Sequence, residues 1–216
     1  ELHVSKNVIK QIAEENKLII QRAIIPRDEK NKYFRDDYFS VIDTECKAYF
    51  LGLLYCDGNV RIHNGGYFLS IELKSEDRYI LEKLATELKC GNKIYDRHRI
   101  TNVGEGYMSN FSSCNSKQLF DDLAKFNIIP DKSHTTDSFK NILELVDFNL
   151  IKHFLRGIID GDGSISNRVS CGRQHAVAVY QNSLQFCKDF DSLLKLCMNR
   201  NDLKDDIGTF AWKINN

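Results

Sequence analysis

Two stretches of this chain are variants of one another. FLGLLYCDG runs from Phe50 to Gly58, and LRGIIDGDG runs from Leu155 to Gly163, 105 residues further on. Each is an apolar run with a glycine near its centre, and each closes on Asp-Gly. A repeat at a domain-sized interval constrains the fold strongly. Each copy is one structural unit, and the copies bury against each other what neither buries alone.

Gly52 with Cys56, and Gly157 with Gly161, set small residues one helical turn apart on one face. That spacing lets two helix backbones approach closely. Gly58 and Gly163 are expected in the left-handed position that ends a helix. Helices packed through their small residues would bring Asp57 and Asp162 together at their C-terminal ends. Such an arrangement is unfavourable alone, because each helix C-terminus already carries about half a negative charge and two adjacent carboxylates resist full ionisation. A divalent cation between the acids resolves the conflict. It also supplies what phosphodiester hydrolysis needs, an activated water and a stabilised leaving oxygen. A single Asp-Gly would be an ordinary helix stop. Two at the same spacing, each followed by strand-like sequence, point to a shared acidic site.

The pattern along the chain predicts three segments. Residues 1–40 read as a helical leader and linker, with Ser5 as N-cap, Val8, Ile12, Ile19 and Ala23 near helical spacing, and Pro26 as terminator. Residues 41–148 read as a first repeat. Asp43 or Thr44 caps its leading helix, Asn64-Gly65-Gly66 turns a hairpin, and Ser75 caps a helix carrying Ile80, Leu81, Leu84 and Leu88. A second strand pair and a closing helix before Pro130 follow. Residues 149–216 read as a second repeat, with strands expected near 203–207 and 209–214 and the closing helix lacking. The expected class is α+β, two αββαββα repeats related by a pseudo-twofold axis.

Thirty basic side chains balance thirty acidic ones, so any nucleic-acid surface must come from segregation of charge. The strand-like stretches 58–71, 91–103 and 163–182 hold Arg61, Lys93, Arg97, Arg99, Arg168 and Arg173 against a single acid, Asp96. Strand alternation puts Asn59, Arg61 and His63 on one face, with Val60 and Ile62 turned to the helices. The same parity aligns Lys93, Tyr95, Arg97 and Arg99, and in the second repeat Ser164, Ser166 and Arg168. Such a face suits phosphates and base edges. Seven scattered cysteines contain no CxxC pair. Cys171 and His175 stand without the second pair that a zinc site needs. A reducing, intracellular compartment fits this usage best, and no apolar stretch approaches the roughly 18 residues of a membrane span.

The two motifs, and the helix–strand–strand order around them, resemble the LAGLIDADG homing endonucleases in their single-chain, two-motif form. The resemblance implies a saddle of sheets on double-stranded DNA and hydrolysis of both strands within a long asymmetric target, as in intron homing. It implies Mg2+ (or Mn2+) shared by Asp57 and Asp162, with the backbone carbonyls of Cys56 and Gly161 as further ligands. It also implies a monomer with internal pseudo-symmetry. Tyr55 departs from the family's aspartate at the sixth motif position, which is not the metal-binding one, and Cys56 stands where a smaller residue is usual. Basic side chains that the family places around the scissile phosphates are matched only loosely by Lys74, Lys117 and Lys213. The alternative is a non-cleaving DNA-binding regulator or an intron RNA maturase of the same fold.

Overall fold

The computed structural model describes residues 33–90, 94–101, 104–132, 139, 141–166, 176–181 and 183–199. The chain divides into two units, 1–32 and 33–216. Tyr33 to Ser40, expected as the tail of a linker, instead belong to the second unit, where Tyr38 and Phe39 are buried in the core. Two aromatic rings so close to the first helix outweigh the charged residues around them, because burying each removes a large apolar surface from water.

Helix α1, Glu45–Asp57, starts where Thr44 accepts a hydrogen bond from the Lys47 N–H. It is apolar on nearly every side, as a helix enclosed by the protein must be. Phe50, Leu51, Leu53 and Leu54 are all buried. The chain then passes directly into strand β1, Gly58–His63, and returns as β2, Gly66–Lys74. His63 pairs with Gly66 across the two-residue turn Asn64-Gly65. Both turn residues have positive φ, 48° and 72°, which Asn and Gly adopt at least cost. After a single 3-10 turn at Ser75–Asp77 comes α2, Arg78–Glu87. Ser75 therefore does not cap α2. Asp77 holds the cap position, without a side-chain hydrogen bond.

Strands β3, Ile94–Thr101, and β4, Gly104–Ser112, complete an antiparallel sheet of order β1-β2-β4-β3. Helix α3, Lys117–Ala124, closes the unit, with the Ser116 hydroxyl accepting from the Leu119 N–H. The short helix α4, Ile142–Leu145, leads to α5, Phe148–Asp162, capped by Asp147. Strands β5, Gly163–Ser166, and β6, Ala176–Val179, pair antiparallel, and α6, Leu184–Met198, follows. The strands expected near 203–207 and 209–214, and the leader helix, lie outside the described residues.

The core fills the space between the sheet and the paired helices. Val60, Leu69, Ile71 and Phe111 come from the sheet, Leu81 and Leu84 from α2, and Phe154, Leu155 and Ile158 from α5. Tyr55, Phe139, Phe154 and Phe186 form an aromatic cluster tying α1 and α5 to α6. The segments entering α1 and α5 also meet, through a parallel bridge between Ile42 and Val146.

Candidate active site

Helices α1 and α5 pack backbone to backbone through the glycines of the two motifs. A Cβ at Gly52 would overlap the Phe154 carbonyl, and one at Gly157 would overlap the Tyr49 carbonyl and lie 2.7 Å from the Leu53 nitrogen. One at Gly161 would lie 2.7 Å from the Cys56 Cβ and 3.3 Å from Asp57 Oδ2. The fourth small position, Cys56, directs its thiol to the Ile158 carbonyl at 3.7 Å. At Gly52 and Gly157 only hydrogen fits.

Gly58 and Gly163 are not left-handed, contrary to expectation. Their φ values are −70° and −92°, in extended backbone. Each donates its N–H to the carbonyl four residues back, Leu54 and Ile159 respectively, and then starts a strand. Glycine is required there for space, because a Cβ would overlap those same carbonyls. The helix runs into the strand with no intervening turn, so each aspartate is held between two regular elements.

Asp57 and Asp162 occupy these two last helical positions and feel each other. Burial first, and then the charge of Asp162, push the Asp57 carboxyl up to about 6 from its ordinary 3.8, with Lys132 pulling it down. Burial, followed by the Asp162 charge, likewise pushes the Cys56 thiol upward. At neutral pH Cys56 is therefore a neutral packing group.

Two residues that periodicity did not flag complete the surroundings. Lys132 Nζ donates to the backbone carbonyls of Tyr55 and Cys56, at 2.8 and 2.7 Å. It thus sets a cation on the negative end of α1. Burial pulls its ammonium below the usual lysine range, against the charges of Cys56, Asp57 and Asp162. Gln181 donates its side-chain N–H to Asp162 Oδ2, and the Tyr180 N–H donates to the Asp162 carbonyl at 3.2 Å. Lys132 follows Pro130-Asp131 in an irregular segment and Gln181 follows β6, so neither sits in a periodic pattern.

Two of the three expected basic-pocket residues, Lys74 and Lys117, are among the described residues. Lys117 pairs with Asp121 at 2.5 Å and lies over the Tyr67 ring. Tyr67 is at the turn end of the β1–β2 pair, whereas Gly58 pairs with Ile71 at the other end. Lys74 is exposed at the end of β2, on the polar sheet face. Lys213 lies outside the described residues, as do Lys93, Arg168, Arg173, Cys171 and His175. Ser164 is exposed on β5, and Ser166 ends that strand.

Sheet parity mostly follows expectation. Cross-strand partners share a face, and Asn59↔Ser70, Arg61↔Phe68, Glu72↔Asn110, Tyr95↔Asn110 and Arg97↔Met108 assign Asn59, Arg61, His63, Tyr95, Arg97 and Arg99 to one face. The opposite face carries Val60, Leu69, Ile71 and Phe111 into the core. Ile62 belongs to that apolar face by parity but is 58% exposed, because it lies at the turn end of the hairpin. Asp96, expected among the basic residues, points to the helix side, where Ser109 and Arg78 donate to it at 2.6 Å. Glu72, one residue beyond the stretch 58–71 over which charge was counted, is the acid that lies among the arginines.

The donor types at the paired tips suit a hard divalent cation, since two carboxylates and the Gly161 carbonyl are all oxygen ligands. The Cys56 carbonyl already accepts from Lys132. Among the described residues no cluster of three or more His, Cys, Asp or Glu side chains is arranged around a metal position. Water and substrate oxygens would therefore have to complete the shell. No described helix is long and apolar enough to cross a membrane.

Residues 149–197 match the model of a LAGLIDADG-like domain. Among solved structures, the homing endonuclease I-WcaI bound to its DNA recognition sequence aligns at 12% identity with a TM-score of 0.51, over 84% of this chain and 76% of that one. Two structures of I-DmoI variants in complex with target DNA also align. One, in the presence of manganese, is 17% identical with a TM-score of 0.40, over 72% of this chain and 74% of that one. The other, in the presence of magnesium, is 16% identical with a TM-score of 0.42, over 74% and 79%. At 12% identity the likeness to I-WcaI is one of fold. Comparison with curated proteins finds no match.

Proposed function

We propose that this chain, whose residues 149–197 match a LAGLIDADG-like domain and whose two motifs resemble those of the LAGLIDADG homing endonucleases, is a site-specific endonuclease that hydrolyses both strands of a duplex DNA target at the paired ends of α1 and α5. The observation that carries this reading is the apposition of Asp57 and Asp162, held by a glycine crossing too close for any side chain. The two repeats, 41–148 and 149–216, would each contribute one acid.

Asp57, Asp162 and the Gly161 carbonyl would hold Mg2+ or Mn2+. A divalent ion held there would neutralise the acids, lower the pKa of a bound water and stabilise the leaving oxygen. The protein's own share is positional. Glycine packing sets the separation of the carboxylates, and Gln181 orients Asp162 through a hydrogen bond. Lys132 holds the end of α1 and places a positive charge beside the acids, where a scissile phosphate would lie. The exposed sheet face with Asn59, Arg61, His63, Tyr95, Arg97 and Arg99 would lie against the groove, its arginines matching guanine acceptors. Ser164, Ser166, Arg168 and Arg173 would extend that surface in the second repeat.

The test is incubation of a randomised duplex library with the full chain in magnesium or EDTA, followed by sequencing of cut ends. Cuts at one recurrent sequence, dependent on magnesium and lost in Asp162→Asn, are expected. Sequence-selective binding without any cut would favour the non-cleaving regulator. Binding confined to RNA would favour the maturase.

A further inference from the structure

On the exposed face of the sheet one carboxylate holds two arginines. Arg97 Nε donates to Glu72 Oε2 at 2.6 Å, and Arg99 donates to Oε1 at 2.5 Å. Asn110 approaches Oε2 at 3.5 Å from β4. The Glu72 side chain is only 12% exposed, beneath guanidiniums that are 48% and 53% exposed. Among the described strand positions of this face Glu72 is the sole acid, and Arg61 and Lys74 share the face with it.

A carboxylate in the middle of a surface meant for polyanionic DNA weakens every complex through repulsion of phosphates. Its retention calls for a compensating gain. An unrestrained arginine satisfies its charge on whichever phosphate it reaches, which binds DNA without reading it. Glu72 holds Arg97 through Nε and Nη2 and Arg99 through Nη1, which restricts both guanidiniums while leaving each other donors for DNA. Guanidinium has five donors, so each retains enough for a bidentate contact with a guanine edge. Preorganisation lowers the ordering cost of the correct contact, and the buried charge penalises incorrect ones.

We infer that Glu72 is a specificity-determining residue, which fixes Arg97 and Arg99 for two neighbouring base pairs and suppresses binding to unselected DNA. This rests on the proposal that the sheet binds duplex DNA. It adds a residue that itself need not touch the target.

The test is competitive selection of a randomised duplex library in EDTA, comparing the full-length wild-type chain with Glu72→Gln. Affinity for unselected duplex should rise about threefold to tenfold, with the salt dependence steeper by about one phosphate contact. The advantage of the selected sequence over random duplex should fall at least about tenfold. That loss should concentrate at the base pairs relaxed in Arg97→Lys, which keeps the charge but not the planar fork. Unchanged selectivity in a folded Glu72→Gln protein would overturn the inference and leave DNA binding standing. Should Glu72→Gln fail to fold, unchanged selectivity in both Arg97→Lys and Arg99→Lys would overturn it equally. A wild-type chain that selects no sequence would remove both this inference and the reading beneath it.

Discussion

The ends of α1 and α5 are nearly the same in sequence and unlike in surroundings. Both finish on Asp-Gly, donate the glycine N–H four residues back and enter a strand. At the first, the helix carbonyls face the Lys132 ammonium and the Asp57 carboxyl is raised to about 6. At the second, a neutral amide, Gln181, holds Asp162. The two acids thus close similar motifs, while loop residues from different places in the chain make their surroundings differ. One tip is desolvated and cation-faced, and the other is fixed by a hydrogen bond.

Removing either acid should break the pairing most severely. Asp57→Asn and Asp162→Asn should each lower single-turnover cleavage by roughly 10³-fold, measured on a duplex recovered from the library selection. If the tips act as one site, the losses will be similar. A loss confined to one variant would mean that one end works alone.

Next in size is the crossing itself. Gly157→Val would press a branched side chain onto the Tyr49 carbonyl and the Leu53 nitrogen, at a cost of about 4 kcal/mol or more. Urea unfolding should show this, whereas Gly106→Ala, at a position with open space around it, should stay within about 1 kcal/mol.

The raised carboxyl has a pH signature. Asp57 favours the folded state below pH 3.8, and that contribution is lost as pH rises through about 6. In EDTA at pH 8, Asp57→Asn should therefore be more stable than the wild type, by an amount on the order of 2 kcal/mol after allowance for partial solvent screening. The difference should vanish at pH 3.5. Thermal melts at the two pH values measure it. Equal melting temperatures at pH 8 would contradict the desolvation of this tip.

The smallest effects separate the two ends. Lys132→Met removes two hydrogen bonds from a charged donor and should cost about 2 kcal/mol in EDTA. Gln181→Leu loses one side-chain hydrogen bond to a carboxylate and should cost about 1 kcal/mol. Reversal of that order in chemical denaturation would show that Lys132 is not the stronger anchor.

Much of this architecture was legible because it is periodic or local. Spacing of Gly52, Gly157 and Gly161 foretold the helix crossing, Asn64-Gly65 foretold the hairpin, and strand parity put Arg97 and Arg99 on one exposed face. Long-range partners were illegible. Lys132 and Gln181 reach the acids from irregular segments, and no local pattern encodes which loop lysine will meet a helix end. Glu72 escaped notice because the charge count stopped at residue 71, short of the end of β2 at Lys74. Asp96 was counted on the wrong face because charge was summed by segment rather than by parity. Gly58 and Gly163 were expected at left-handed helix ends, whereas their backbone is extended and crowding is what requires glycine there.

The claim on which all of this rests is that the two carboxyl groups share one desolvated space. Carboxyl-carbon NMR titration of Asp57 in EDTA, in the wild type and in Asp162→Asn, tests it directly. The account predicts a titration near 6 in the wild type that moves downward once the second charge is gone. An Asp57 that titrates near 3.8 in both proteins would contradict it.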